Sequence, residues 1–178
     1  MKERYFSPES FDQVISEMTL ELAGKNYRAK PWKLSPEKAA LLVLDMQNYF
    51  LDPASHAFTP SAPAIIPNIN RLIEMAENNN MEIIFTKHVN NQENEAMMGK
   101  WWRDRVAEGS YEAEIFREVG GRRSAVGDRF GEEGMQGWEE CKVILKHQYD
   151  AFYGTELEDY LHAKGIEQVI ITGVLTNL

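Results

Sequence analysis

Two charged side chains stand directly after apolar runs in this sequence and are the first candidates for chemistry. Asp45 follows six uninterrupted apolar residues, Ala39 to Leu44, and Lys146 follows the segment 142–145, which reads KVIL. Apolar runs bounded by polar residues predict strands buried on both faces of a parallel sheet. Asp45 could cap the following turn or act as an acid or base, because ligands bind at the carboxyl edge of open α/β sheets. Asp45 and Lys146 could meet in one crevice there, as a functional pair or as an ordinary ion pair.

The elements that must hold these two side chains alternate between strand and helix patterns. Strands are predicted at 40–45, 82–86, 142–145 and 168–172. Apolar residues recur at helical spacing between the first two strands, at 65–76, and a second helix is predicted at 156–164 with Thr155 as its cap. This alternation predicts an α/β fold with a doubly wound parallel β-sheet flanked by helices.

The sequence before the first strand predicts a separate amphipathic helix. Apolar residues recur at helical spacing from Phe11 to Leu22, and Gly24 is a plausible stop. We expect residues 1–38 to form an N-terminal helical extension and residues 39–178 to form the main domain. The helix could pack on its own domain or reach across to a second subunit.

Two segments between the second and third strands are less regular. Residues 93–119 are helix-prone, with an interruption at Gly109 and Ser110, and contain a bulky cluster of Met97, Met98, Trp101 and Trp102. Core or interface packing is favoured for this cluster over a ligand pocket. Residues 120–137 hold six glycines and three arginines. Because no GxGxxG or GxxxxGK[ST] fingerprint is present, a mobile insertion is favoured over a phosphate-binding loop.

Composition narrows the class of protein. The chain has 178 residues, of which 43% are hydrophobic and 26% charged, as expected for one globular domain. A net charge of −9 argues against nucleic-acid binding, and no apolar run reaches the roughly 20 residues of a membrane span. The first residues lack the apolar stretch of an export signal. We therefore expect a cytoplasmic protein that acts on a small-molecule substrate, with no nucleic-acid or membrane partner.

Three sequence blocks together carry a resemblance to a known family. They read LVLDMQNYF at 42–50, KHQYDAFYGTELEDYLHAKGI at 146–166 and VIITGVLTNL at 169–178. In this order and spacing they resemble the isochorismatase-like cysteine hydrolases, over about residues 39–178. The resemblance implies a Rossmann-like three-layer fold with a six-stranded parallel sheet, and an Asp-Lys-Cys triad.

The family pattern assigns roles to residues of this chain. Asp45 and Lys146 fall on the first two positions of the triad, and the nucleophilic cysteine would be residue 179, with two further strands and their helices after it. A free thiol has a pKa near ~8.5, so a neighbouring ammonium such as Lys146 would favour the attacking thiolate. Asp45 would take the thiol proton and pass it to the leaving amine. The resemblance also implies a cis peptide between Val174 and Leu175, which turns the Leu175 N–H into an oxyanion hole with that of residue 179.

The cysteine that the sequence does contain does not fit the nucleophile position. Cys141 is the single cysteine and precedes a predicted strand, at the edge opposite Asp45 and Lys146. A packed thiol is the better interpretation of this residue. One cysteine also excludes an internal disulfide framework.

The sequence indicates less clearly which activity within the family this chain has. Nicotinamidases of this family bind a metal through an Asp-x-His run after the second strand. Residues 86–91 read TKHVNN, with one His and no Asp, so we predict no metal and no cofactor. Phe50 and His88 are predicted to line the substrate pocket, although a surface position suits His88 equally well.

Hydrolysis of an amide, carbamoyl or urea-type C–N bond therefore leads as the predicted activity. Isochorismatases proper replace the cysteine with glycine and cleave a vinyl ether, and their turn differs from Val174-Leu175-Thr176-Asn177. A vinyl ether hydrolase and a catalytically inert binding protein remain the alternatives. We also expect a homo-oligomer, a dimer or tetramer, because the Met/Trp cluster and the N-terminal helix offer more apolar surface than one sheet layer needs.

Overall fold

The computed structural model of the protein describes residues 6–23, 33–95, 100, 104–120 and 141–175. Its helices and strands are α1 (Phe11–Ala23), β1 (Ala39–Leu44), α2 (Asn48–Leu51), α3 (Ile66–Asn78), β2 (Glu82–His88), β3 (Lys142–Lys146), α4 (Leu157–Ala163) and β4 (Gln168–Gly173). Short 3₁₀ helices lie at Pro36–Lys38, Ala62–Ile65 and Tyr111–Ala113. The predictions for the Met/Trp cluster, and for the glycine-rich segment beyond residue 120, fall outside the described residues.

The strands form one parallel sheet, and β1 lies inside it. Across the described residues the strand order is β3-β2-β1-β4. Leu41 of β1 is paired with Ile83 of β2, and Leu42 is paired with Ile171 of β4 on the other side. The first five residues of β1 are at most 2% exposed, as its unbroken apolar sequence predicts for a central parallel strand.

Helices cover both faces of this sheet. Alternate strand residues point to opposite sides, so the apolar strands present an apolar face on each side. On one face, Leu41 and Phe85 belong to a core cluster that also contains Ile69 and Ile73 of α3. On the opposite face, Leu42 and Ile84 cluster with Leu157 of α4, and Leu161 of the same helix joins them. The predicted doubly wound α/β arrangement with three layers is therefore confirmed.

The helical structure predicted within residues 93–119 is wrong for residues 104–119. From residue 104 to 120 the only regular element is the 3₁₀ helix Tyr111–Ala113. Gly109 has a φ of +76°, and the Ser110 side chain accepts a hydrogen bond from the Ala113 N–H at 3.3 Å. This local turn breaks the helical path before the segment pairs with the rest of the fold at Ile115.

The N-terminal helix is present as predicted, and most of its apolar side chains are exposed. No residue of α1 is buried, and its exposed apolar residues include Met18, Leu20 and Leu22. Phe6 precedes the helix and packs edge-on against Phe11. Among the helices of the described residues, none has the length and apolar character needed to cross a membrane.

Candidate active site

Asp45 and Lys146 form a buried ion pair at the carboxyl edge of the sheet. The Lys146 Nζ lies 2.7 Å from the Asp45 Oδ2, and the two side chains are 5% and 10% exposed, respectively. The Lys146 ammonium also donates to the Gln148 carbonyl at 3.2 Å. The prediction that these two residues share one crevice is confirmed. Each charge compensates the other in an environment where an isolated ion would be costly.

Strand β2 lies between the two strands that supply this pair, and its last residues fill the gap. Thr86 is fully buried there. Its hydroxyl accepts a hydrogen bond from the Asp45 N–H at 3.1 Å and donates one to the Asp45 Oδ1 at 2.6 Å. Sequence reasoning assigned no role to Thr86. The available signal was its position at the end of the second predicted strand, on the same edge as Asp45.

His88, the last residue of β2, is buried beside the same ion pair. Burial lowers its pKa most, and the positive charge of Lys146 lowers it further, while Asp45 and a hydrogen bond with Asn90 oppose the shift. The net direction is downward from 6.5, so the imidazole is neutral at pH 7. His88 is paired with Lys146 in the sheet register. The structure therefore places His88 at the carboxyl edge beside the ion pair and not on the surface, and its role in a substrate pocket stays a prediction.

The side-chain amide of Gln47 fixes the backbone at the end of β2. Its Oε1 accepts from the His88 N–H at 2.7 Å, and its Nε2 donates to the His88 carbonyl at 3.0 Å. A further bond from Nε2 reaches the Ala113 carbonyl at 2.9 Å. Gln47 is fully buried, and its amide makes the hydrogen bonds to the His88 backbone that a neighbouring strand would otherwise make. The sequence motif included Gln47, but the pattern alone did not reveal this support of His88.

A second set of hydrogen bonds joins the loops that follow β2 and β3. The Asn90 Nδ2 donates to the His147 carbonyl at 3.0 Å, and the His147 Nδ1 lies 2.7 Å from the Val89 carbonyl oxygen. The same Nδ1 also lies 3.2 Å from the Asn94 Nδ2. These bonds hold the residue after Lys146 close to the end of β2.

The chain leaves β4 next to Asp45, but not with the predicted peptide geometry. The Val174 N–H donates to the Leu44 carbonyl at 3.1 Å. The predicted cis bond between Val174 and Leu175 is wrong, since no described peptide bond is cis, and the chain turns at Leu175 with a φ of +58°. A left-handed residue costs about 1–2 kcal/mol, less than the roughly 3–4 kcal/mol of a non-proline cis bond. The oxyanion role of Val174 and Leu175 stays a prediction.

Three other predicted features have different outcomes. Phe50 is buried in the core cluster and packs edge-on against Tyr49, so its pocket role stays a prediction. Cys141 is partly buried against the same cluster, as expected for a packed thiol. No group of three or more His, Cys, Asp or Glu residues in the described ranges could hold a metal ion. The expected absence of a metal and a cofactor remains a prediction.

Comparisons with known proteins agree with this fold. A family model described as "Isochorismatase domain" matches residues 39–178. The chain is 28% identical to "Nicotinamidase 3" of Arabidopsis thaliana, over 86% of this chain and 68% of that protein. It is 27% identical to "Isochorismatase" of Bacillus subtilis (strain 168), over 83% of this chain but only 42% of that protein.

A solved structure shares the same architecture. It is a cysteine hydrolase from Pseudomonas syringae pv. phaseolicola 1448A, which superimposes with a TM-score of 0.71 at 19% identity and covers 85% of this chain. The match covers 66% of that structure's own length. The chain therefore belongs to the isochorismatase domain family and has its parallel α/β fold.

Proposed function

We propose that this protein hydrolyses a C–N bond in a small amide, carbamoyl or urea-type substrate. The observation that carries the proposal is the buried pair of Asp45 and Lys146 at the carboxyl edge, 2.7 Å apart. A carboxylate and an ammonium in that position can move a proton and stabilise an anion. Membership of the family and similarity to a protein named nicotinamidase support the choice of an amide-type substrate.

The proposed reaction uses a cysteine expected at position 179 as the nucleophile. The Asp45 carboxylate takes the thiol proton, and the thiolate attacks the substrate carbonyl carbon. When the C–N bond breaks, Asp45 returns that proton to the leaving nitrogen, which departs as ammonia or an amine. Water then attacks the resulting thioester, with Asp45 again accepting a proton, and the thiol is regenerated as the acid product leaves.

The residues around the pair have supporting roles in this scheme. The Lys146 ammonium lies beside the Asp45 carboxylate, and its positive charge favours the thiolate. The neutral His88 can exchange a hydrogen bond with the substrate without adding a second positive charge near Lys146. The backbone N–H of Leu175 is proposed to donate to the developing oxyanion.

An ammonia-release assay over small amides, ureas and carbamoyl compounds tests this proposal. Asp45→Asn should abolish turnover, because it removes the base while preserving size. The matched control is Asp52→Asn, which removes a carboxylate that accepts a hydrogen bond from the Tyr111 hydroxyl rather than from the pair. This control should retain the wild-type rate.

The nucleophile is tested separately by alkylation. In a chain that includes residue 179, iodoacetamide should inactivate the enzyme, and a competing substrate should slow that loss. Full activity after alkylation of every cysteine would contradict the cysteine mechanism and favour vinyl ether hydrolysis through Asp45. Absence of any turnover, with the fold intact, would favour an inert binding protein.

A further inference from the structure

Thr86 makes two hydrogen bonds to Asp45, one to its backbone and one to its side chain. The hydroxyl oxygen accepts from the Asp45 N–H at 3.1 Å, and the hydroxyl proton is donated to Oδ1 at 2.6 Å. A threonine hydroxyl has a single proton, so this proton is committed to the carboxylate. The Thr86 side chain is therefore a donor to the Asp45 carboxylate in this arrangement.

The two oxygens of the Asp45 carboxylate consequently have different partners. Oδ1 faces the Thr86 hydroxyl, and Oδ2 faces the Lys146 ammonium at 2.7 Å. Asp45 itself has a φ of +50°, a left-handed conformation that non-glycine residues adopt at a cost of about 1–2 kcal/mol. The Thr86 bond to the Asp45 N–H is one contact that holds the backbone in this conformation.

The location of Thr86 explains why it can hold both groups. Strand β2 lies between β1 and β3, and Thr86 is paired with Ile144 of β3 in the sheet register. The side chain of Thr86 is 0% exposed, so water does not compete for its hydroxyl. A buried hydrogen bond to a charged group is stronger and more directional than one between neutral groups in water.

We propose that Thr86 is a positioning residue that orients the Asp45 carboxylate for proton transfer. With Oδ1 held by the hydroxyl, Oδ2 is the oxygen left to exchange the proton beside Lys146. The kinetic consequence of this inference rests on the proposed function, whereas the orientation of Asp45 does not.

Two substitutions separate the hydroxyl from the rest of the side chain. Thr86→Val keeps the branched shape and removes the donor, and Thr86→Ser keeps the hydroxyl and removes a methyl group. Ile84→Val is the matched packing control. Ile84 is fully buried two residues earlier in β2, and this substitution removes one methyl group from the core cluster that contains Ile84. If the Thr86 side chain only fills space in the core, all three variants should have similar effects.

The positioning role predicts a specific kinetic pattern. Thr86→Val should lower kcat by about 10- to 100-fold with little change in KM, since a misplaced base affects the chemical step. Thr86→Ser should recover kcat to within about threefold of wild type, and Ile84→Val should leave kcat unchanged.

An NMR experiment gives a readout that does not depend on any substrate. In protein labelled with ¹³C at aspartate carboxyls, the Asp45 resonance is assigned by its loss in Asp45→Asn. At a fixed pH of 7, this resonance should move away from its wild-type position in Thr86→Val, because Oδ1 loses its donor, and should stay close to that position in Thr86→Ser. Equal behaviour in all variants would overturn the inference. If the wild type hydrolyses no substrate but the resonance shifts as expected, the proposed function fails and the positioning role stands.

Discussion

The Lys146 ammonium and the Asp45 carboxylate meet 2.7 Å apart across the end of a strand that supplies neither of them. Strand β2 separates the two strands, so each side chain extends over the end of β2 to reach the other. Both are almost completely removed from water. The pair is therefore part of the core at this edge as well as the proposed reaction centre.

Breaking this pair from one side should destabilise the protein. Asp45→Asn leaves the Lys146 charge buried without its counter-ion, which typically costs about 3–5 kcal/mol of unfolding free energy. The double variant Asp45→Asn, Lys146→Met removes both charges and should recover most of that loss. Urea unfolding of the wild type, both single variants and the double variant measures the coupling. Additive losses in the double variant would contradict a compensated pair.

The presence of this pair was predictable because it depends on local patterns. An apolar run that ends in a charged residue identifies both the strand and its carboxyl end. Parallel strands have their carboxyl ends at the same edge of the sheet. Asp45 and Lys146 were found in this way. The strand order was not predictable by the same reasoning, since no local pattern states that β2 lies between β1 and β3. Thr86 was overlooked for that reason.

The support of β2 by Gln47 was also beyond local reasoning. Gln47 and His88 are 41 residues apart in sequence, and their hydrogen bonds depend on how α2 meets the end of β2. The predicted strand ended at Thr86, whereas β2 continues to His88. Lys87 and His88 do not continue an apolar run, so a pattern based on burial ends too early. The Gln47 amide supplies the hydrogen bonds that the longer strand needs.

The buried His88 predicts that stability falls on acidification. Its pKa is lowered in the folded protein from 6.5, so the unfolded state binds the proton more readily. The contribution is present in full above pH 6.5 and is lost as the pH falls from there toward the lower folded-state pKa. His88→Gln should flatten this part of the pH dependence of unfolding free energy.

Chemical denaturation between pH 7.5 and pH 5 provides the measurement for His88. His162 of α4 offers a control, because it lies exposed in the last turn of that helix. His162→Gln should leave the slope between pH 7 and pH 5.5 close to wild type. An equal slope in His88→Gln and wild type would show that His88 is not buried as a neutral group.

The outward-facing side chains of α1 predict self-association. Leu20 is 74% exposed and Met18 is 54% exposed on a helix with no buried residue in the described structure. Apolar patches of this kind often mark an interface, and we propose a second copy of this chain as the partner. Multi-angle light scattering at micromolar concentration should show a dimer or tetramer that Leu20→Ser weakens. Gln13→Ser on the same helix is the control, and a monomeric wild type would remove the proposal.

Gly173 should not tolerate a side chain, because the backbone of Leu44 occupies that space. A Cβ at Gly173 would clash with the Leu44 carbonyl oxygen and would lie 2.6 Å from the Leu44 nitrogen, and the φ of Gly173 is +119°. This close approach places the end of β4 against the last residue of β1, next to Asp45. Gly173→Ala should lower the unfolding free energy by about 2–6 kcal/mol, the sum of a strained backbone and an overpacked contact.

A second glycine separates these two causes of the predicted loss. Gly165 also has a positive φ, +65°, but a Cβ there would meet nothing within 4 Å. Gly165→Ala should therefore lower the unfolding free energy only by the strain of a left-handed alanine backbone, about 1–2 kcal/mol. Urea unfolding of both alanine variants gives the comparison. Equal losses would mean that β4 shifts away from Leu44 at little cost, and the Gly173 contact would then not be what fixes the end of β4 against Asp45.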